Sequence, residues 1–155
     1  MSSTAAARLA ALDLTLPEVP APAAAYQPWS VGGDLVFTAG QLPLIEGSLP
    51  RTGRLGEELA TADGAALARL AALNLLAIGV AACGSLEAFR VVKVVVFVAS
   101  AEGFHEQHLV ANGASHLLGE VLGDRGVHAR SAVGVPALPL GAPVEVEAIL
   151  ERVPW

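Results

Sequence analysis

The apolar pattern of the N-terminal part predicts a short helix followed by a β-hairpin. Residues 4–12 form an Ala-rich stretch that favours a helix, and the proline-rich residues 17–22 require extended backbone after it. Between residues 27 and 39, two short apolar runs flank the turn sequence Gly32-Gly33-Asp34. Residues 44–59 contain several glycines and a proline without a sustained period, so we predict an irregular loop there.

Longer apolar segments follow and predict two helices and three strands. A helix is expected from Thr61, as its N-cap, to about Ala82, with Gly84 as its stop. Its apolar positions cover most of the circumference, which predicts burial on more than one side. The β-branched run over residues 91–98 is typical of a strand covered on both faces. We predict a second helix over residues 104–122, with an interruption at Asn112-Gly113 left open, and strands over residues 127–135 and 144–153.

The predicted order is ββαβαββ, which indicates an α+β fold with two helices packed on one sheet. The length of 155 residues agrees with one compact domain. We interpret residues 1–23 as a helical arm with an extended Pro-rich segment, and residues 24–155 as the main domain. The pattern predicts that the arm is appended to that domain.

Composition adds an expectation about assembly. Apolar residue types make up 54% of the chain and charged types only 15%, which excludes intrinsic disorder. A lone domain of this size has too high a surface-to-volume ratio to hide so much apolar surface. We therefore expect a homo-oligomer, in which the sheet face left open by the helices meets partner copies.

Charge and cysteine content narrow the environment and the partners. The longest apolar stretch, residues 70–83, is shorter than the roughly 18–20 residues of a spanning helix, and residues 1–14 lack the apolar core of a signal peptide. These features predict a cytoplasmic protein that does not bind a membrane. Cys83 is the only cysteine, so no internal disulfide is possible and we expect a buried, inert thiol. A net charge of -6 without a Lys/Arg run disfavours nucleic acid as a ligand.

Three histidines in and near the second predicted helix are the residues to consider for a metal. His105 and His108 are three positions apart, and His116 follows further along. This spacing is loosely compatible with metal ligation. A solvated helix face is the commoner explanation, because no cysteine or close acidic residue completes a ligand set. We expect no metal.

The strand over residues 127–135 carries a more informative pattern. Read with period two, one face presents His128, Arg130, Ala132 and Gly134. A guanidinium beside two small residues has open volume in which to hold a carboxylate by a bidentate pair. The commoner alternative is an ion pair between Arg130 and Glu145 or Glu147 of the last strand. Those two glutamates share a face, which is either solvated or able to orient a water beside a ligand.

Three segments and one aromatic residue together resemble a known family. They are Tyr26, VFTAGQLPL at residues 36–44, ARSAVGV at residues 129–135 and LPLGAPVEVEAI at residues 138–149. In this order they resemble the RidA (YjgF/YER057c/UK114) family, and the resemblance spans about residues 24–153. The longer N-terminal arm, an insertion around residues 49–58 and the segment at residues 112–115 resemble a divergent subgroup rather than the best studied imine deaminases.

The resemblance implies a chorismate-mutase-like fold assembled as a homotrimeric barrel, with clefts at the subunit interfaces. It also implies an imine deaminase that hydrolyses reactive 2-iminobutanoate and 2-iminopropanoate, or their enamine tautomers, to 2-oxoacids and ammonia. The ligand is then a small carboxylate, and no cofactor or metal is needed.

The family's functional positions can be transferred residue by residue. The resemblance implies a carboxylate-binding arginine, a cleft tyrosine, a water-positioning acid, two backbone contacts and a polar helix position. These fall in turn on Arg130, Tyr26, Glu145, Gly40 with Ala132, and Asn112. Arg130, Glu145 and Tyr26 would be the catalytic residues, with orientation of the substrate as the main contribution.

Two departures leave other functions open. The family's cysteine two positions after the arginine is Ala132 here, and the serine before the motif glycine is Ala39. The cleft therefore lacks a thiol and a hydroxyl. One alternative is a non-catalytic trimer that binds small carboxylate metabolites. A weaker alternative is an endoribonuclease or translation inhibitor, which the acidic net charge disfavours.

Overall fold

The computed structural model describes residues 3–19 and 25–154. Three helices and five strands follow in the order α1 (Ala5–Ala11), β1 (Trp29–Gly32), β2 (Leu35–Thr38), α2 (Thr61–Cys83), β3 (Phe89–Ala99), α3 (Gln107–Leu122), β4 (Ala129–Val135) and β5 (Val144–Arg152). The strands form one sheet in the order β1-β2-β5-β3-β4. From the hairpin onward this is the predicted ββαβαββ arrangement, so the α+β fold is confirmed.

The sheet keeps one apolar face for the helices. Val94, Val96 and Val98 of β3 are fully buried on that face, beside equally buried valines of β5. The alternate residues of β3, such as Lys93 and Val95, are only half-buried on the opposite face. The sequence predicted that β3 is covered on both faces. Within one chain, the helices cover one face of this strand, and the other face stays partly exposed.

The long helix α2 begins and ends close to its predicted positions. Its N-cap is Ala60 rather than Thr61, and the Asp63 carboxylate accepts a hydrogen bond of 2.9 Å from the Ala60 amide. The Asp63 side chain thus satisfies a free backbone donor at the start of the helix. The sequence had predicted that Thr61 would cap this end. At the other end, Gly84 has φ 101°, a conformation that favours glycine.

Helix α2 also qualifies, by its 23-residue length and its composition, as a helix able to cross a membrane. The apolar stretch over residues 70–83 alone is too short to span a membrane, which is why no such helix was predicted from the sequence. Half of the most apolar window of α2 is buried within the fold. Because α2 packs against both α3 and the sheet, much of its apolar surface is already in contact with protein.

The pair Asn112-Gly113 does not interrupt the second predicted helix. Helix α3 runs through it without a break, although it begins at Gln107 rather than residue 104. A Cβ atom at Gly113 would lie 1.8 Å from the carbonyl oxygen of Ala65 in α2. Glycine is required here because the two helix backbones touch, so the signal that suggested a break marks a helix crossing.

Gly113→Ala is therefore expected to lower the free energy of unfolding by about 3 kcal/mol, since neither backbone can retreat without opening the core. Gly119→Ala on the same helix is the matched control, because a Cβ there meets nothing within 4 Å. That control should gain about 0.5–1 kcal/mol from helix propensity. Urea unfolding of both variants measures the difference, and equal stabilities would contradict the tight crossing.

The N-terminal helix α1 is packed onto the domain. Ala5 and Leu9 are buried in the same core as the sheet. The Arg8 Nε–H donates a 2.8 Å hydrogen bond to the Val121 carbonyl near the end of α3, where helix carbonyls lack partners. The arm is thus part of the helical layer, whereas the segment at residues 20–24, which includes the proposed boundary at residue 24, lies outside the described residues.

Cys83 and the three histidines considered for a metal do not form a binding site in the part of the chain that the structure describes. Cys83 is half-buried, and burial raises the pKa of its thiol, against a smaller lowering by Arg152. A raised thiol pKa reduces the thiolate fraction, as expected for an inert cysteine. His105 lies before α3, and His108 and His116 are exposed. No group of three or more His, Cys, Asp or Glu side chains within residues 3–19 and 25–154 is arranged to hold a metal ion.

Candidate functional site

Arg130 lies on the edge strand β4 and faces α3. It is opposite Val94 of β3, whose side chain is buried under the helices. The Arg130 Nη1 donates to Asn112 Oδ1 at 2.9 Å and to Ser115 Oγ at 3.1 Å, and Nη2 donates to the His108 carbonyl at 3.1 Å. Strand β4 pairs only with β3. The alternative ion pair with a glutamate of β5 is therefore wrong, since β5 lies one strand further away.

The hydrogen bonds of Arg130 leave some of its guanidinium donors available. Nη1 donates twice and Nη2 once, and the structure gives Nε–H and a second Nη2–H no partner among the described residues. Free N–H donors on a guanidinium suit binding of a carboxylate. The neighbours of Arg130 thus hold the side chain while sparing the donors that a ligand needs.

The small residues Ala132 and Gly134 were predicted to leave open volume beside Arg130, but the structure gives each of them a different role. Ala132 is half-buried and packs against the core. A Cβ atom at Gly134 would lie 2.8 Å from Gln107 Nε2 and 3.1 Å from Ser100 Oγ. The space above Gly134 is thus already filled by those side chains, and only the region around Ala132 remains small beside Arg130.

Glu145 and Gly40 form a second part of the candidate site. Glu145 is opposite Phe97 of β3 and points to the sheet face away from the helices. A Cβ atom at Gly40 would lie 1.9 Å from Glu145 Oε1, so a side chain at this position would displace the Glu145 carboxyl group from its place. Burial, and secondly the charge of Glu147, raise the pKa of Glu145 above that of an ordinary glutamate. Such a carboxyl group is suited to exchange protons closer to neutral pH.

Glu147→Gln is expected to lower the pKa of Glu145, because it removes the neighbouring negative charge and leaves the burial unchanged. The carboxyl carbon resonance of Glu145, followed by NMR against pH, measures the change. Glu151→Gln is the matched control, since Glu151 lies on the same face of β5 but pairs with Arg90. An unchanged pKa of Glu145 in Glu147→Gln would contradict the repulsion between the two carboxylates.

Tyr26 lies far from Arg130 within one chain. Its side chain is 62% exposed, and it precedes β1, which forms the sheet edge opposite β4. Arg130 and Glu145 in turn are on opposite faces of the sheet. The structure therefore brings Arg130 together with Asn112, and Gly40 together with Glu145, but on opposite faces of the sheet. Tyr26 lies on the side of the second part, since the amide of Ala39, next to Gly40, donates a 2.8 Å hydrogen bond to the Pro28 carbonyl, two residues after Tyr26.

Sequence reasoning assigned no role to two residues beside Arg130. Ser115 bonds to Arg130 and to His128, and His128 precedes Arg130 by two positions on β4. The available signal was spacing: Asn112 and Ser115 are three apart on a helix and so share a face, and His128 shares a strand face with Arg130. Spacing alone could not show that the two faces meet.

Comparison with known proteins identifies the family. Residues 6–151 match the family described as "YjgF/chorismate mutase-like, putative endoribonuclease". The chain belongs to this YjgF/RidA-type family. Protein TCP17 of Trypanosoma cruzi is 45% identical over 152 residues, which are 97% of this chain and 95% of TCP17.

Two solved structures show how the fold relates to others in the family. Atu1372 from Agrobacterium tumefaciens is 45% identical with a TM-score of 0.89, over 96% of this chain and 92% of Atu1372. The structure of E. coli TdcF with bound serine is 28% identical with a TM-score of 0.62, over 89% of this chain and 94% of TdcF. The chain is therefore closer in shape to the first than to the second, in agreement with a divergent subgroup.

Proposed function

We propose that this protein is an imine deaminase that hydrolyses 2-iminopropanoate and 2-iminobutanoate to the corresponding 2-oxoacids and ammonia. The observation that carries the proposal is Arg130, which lies in the family motif with N–H donors on Nε and Nη2 left for a carboxylate. The serine bound to TdcF is a small amino acid with such a carboxylate. The half-buried carboxyl of Glu145 supports the proposal as a proton-transfer group.

A complete site would need more than one subunit. Arg130 and Glu145 face opposite sides of the sheet, and Tyr26 lies near the other edge, so a second copy would have to supply one part of the cleft. We propose the homotrimer that the family resemblance implies. Its support is the open sheet face, where Phe37 and Val133 are each 41% exposed and a concavity of about 270 Å³ lies between Phe37, Lys93 and Ile149.

The proposed reaction consumes one water molecule and needs no other reactant. Arg130 holds the substrate carboxylate, and the Glu145 carboxylate accepts a proton from a water whose oxygen forms a bond to the imine carbon. The imine reacts in its protonated form, so the electron pair of the C=N bond moves to a nitrogen that already carries two protons and a neutral carbinolamine results. Glu145 then gives its proton to this nitrogen. As the C–N bond breaks, the oxygen of the new hydroxyl forms the C=O bond and releases its proton to solvent, so that ammonia leaves and the 2-oxoacid remains.

The test is a kinetic assay with the purified oligomer. A serine dehydratase generates 2-aminoacrylate in situ, and lactate dehydrogenase reports the pyruvate formed. We expect pyruvate to appear faster with the protein than in buffer, in proportion to protein concentration. A rate equal to that in buffer, at every concentration, would reject the deaminase function.

A second candidate is a non-catalytic binder of small carboxylates. The observation that favours it is the pair of alanines at Ala39 and Ala132, which replace a hydroxyl and a thiol of the family pattern. Calorimetry with 2-oxobutyrate, combined with the kinetic assay, separates the two functions. Binding without turnover supports the binder, and the absence of binding excludes it.

The nuclease activity in the family description is the weakest candidate for this chain. Its net charge of -6 opposes association with a polyanion. Incubation of highly purified protein with labelled RNA tests this function, and salt-sensitive cleavage that copurifies with the protein would support it.

A further inference from the structure

A directional hydrogen-bond chain connects His128 to Arg130. The His128 Nδ1 lies 2.5 Å from the Gly126 carbonyl oxygen, and Nε2 lies 3.0 Å from Ser115 Oγ. A carbonyl oxygen can only accept, so Nδ1 carries a proton, and in this tautomer of the imidazole Nε2 is an acceptor. In that tautomer the Ser115 hydroxyl donates its proton to His128.

The donation from Ser115 determines what its oxygen offers to Arg130. With its only proton directed at His128, Ser115 Oγ presents lone pairs, and one of them accepts from Arg130 Nη1 at 3.1 Å. The other Nη1 proton is taken by Asn112 Oδ1. Ser115 and Asn112 lie three residues apart on α3 and so hold Nη1 from one helix face.

We propose that Ser115 and His128 are positioning residues that orient Arg130 for carboxylate binding. His128 sets the direction of the Ser115 hydroxyl, and Ser115 with Asn112 occupies Nη1, so that the donors on Nε and Nη2 without a partner are left for the ligand. A preorganised guanidinium loses less side-chain freedom when the ligand binds, which increases affinity. This inference rests on the proposed function only for the ligand class, a small carboxylate, and does not require turnover.

Calorimetry with 2-oxobutyrate tests the role of the chain in binding. Ser115→Ala is expected to raise Kd about tenfold, since Nη1 loses an acceptor and the guanidinium becomes less ordered. His128→Ala should have a smaller effect in the same direction, and Ser115→Thr should restore binding because it keeps the hydroxyl. His116→Ala is the matched control: His116 is the exposed neighbour of Ser115 on α3, and its loss should leave Kd unchanged.

Two further measurements separate positioning from a general effect on the fold. In an Arg130→Lys background there is no Nη1 for Ser115 to hold, so adding Ser115→Ala should not raise Kd further. In the ligand-free protein, ¹⁵N NMR should show His128 protonated at Nδ1, and slowed rotation of the Arg130 guanidinium that Ser115→Ala abolishes. A general loss of structure would instead weaken both backgrounds equally.

The outcomes distinguish this inference from the deaminase proposal. Binding of 2-oxobutyrate that weakens in Ser115→Ala supports positioning, even if the protein turns over no imine. Wild-type turnover with an unchanged Kd in Ser115→Ala overturns the inference and leaves the deaminase function standing. Protonation of His128 at Nε2 alone, or no binding of 2-oxobutyrate to the wild type, also overturns it.

Discussion

Arg130→Ala is expected to reduce kcat/KM for 2-iminopropanoate by about 100-fold or more. The substitution removes both N–H donors proposed for the substrate carboxylate, and loss of one partner of a desolvated charge pair costs about 2–5 kcal/mol. Most of the loss should appear in KM, because the carboxylate is bound in the ground state as well as in the transition state. The coupled pyruvate assay and calorimetry with 2-oxobutyrate provide the two measurements.

Two further variants show whether the loss in Arg130→Ala comes from the guanidinium donors: a conservative substitution at Arg130 and a substitution at another arginine. Arg130→Lys keeps the charge but lacks the planar pair of donors, so an intermediate loss is expected. Arg69→Ala is the control, since Arg69 forms a partly exposed ion pair with Glu120 on the helices and should leave kinetics unchanged. Wild-type kcat/KM in Arg130→Ala would show that the motif arginine does not bind the substrate.

Glu145→Gln is expected to lower kcat by about 100-fold while leaving the affinity for 2-oxobutyrate nearly unchanged. Loss of a positioned proton-transfer group costs about 10²–10⁴ in rate, and Gln keeps the shape of the side chain beside Gly40. In the wild type, the acid limb of the kcat/KM profile should lie above the pH of an ordinary glutamate, because burial and Glu147 raise the pKa of Glu145.

The same raised pKa predicts the sign of the stability change. In the folded protein Glu145 binds its proton more tightly than in the unfolded chain, so its contribution to stability declines as pH rises through the raised pKa. Above that pH, Glu145→Gln should therefore be at least as stable as the wild type in urea unfolding. Loss of activity together with loss of stability at neutral pH would contradict an acid–base role, because it would indicate a damaged fold.

Several elements of the fold could be predicted because they depend on local sequence. The turn of the β1–β2 hairpin needs a residue with positive φ, which Gly33 supplies at φ 61°. The strand β3 is rich in β-branched residues with Lys93 as the polar break in the run, and α2 ends at a glycine with positive φ. Each of these signals acts within a few residues along the chain, so sequence periodicity and turn chemistry are enough to detect it.

The individual residues of the candidate site could be predicted from the sequence, but their positions relative to one another could not. The motif resemblance indicated Arg130, Glu145 and Gly40, and the contact between the last two follows from the absence of a side chain at Gly40. The alternative ion pair of Arg130 with Glu145 or Glu147 was wrong, because spacing on β4 and β5 does not reveal that β3 lies between them. The question of a break at Gly113 stayed open for a similar reason, since the requirement for glycine comes from Ala65 on another helix.

The sequence by itself determined the secondary structure, the apolar surplus and the family, because these properties depend on residue type and local order. Only the tertiary structure decided that α3 approaches β4 closely enough for Ser115 and Asn112 to hold Arg130. It also decided that Arg130 and Glu145 point to opposite faces of one sheet. The physical reason is that strand order and helix packing join residues far apart in the chain, and no local pattern encodes which faces will meet.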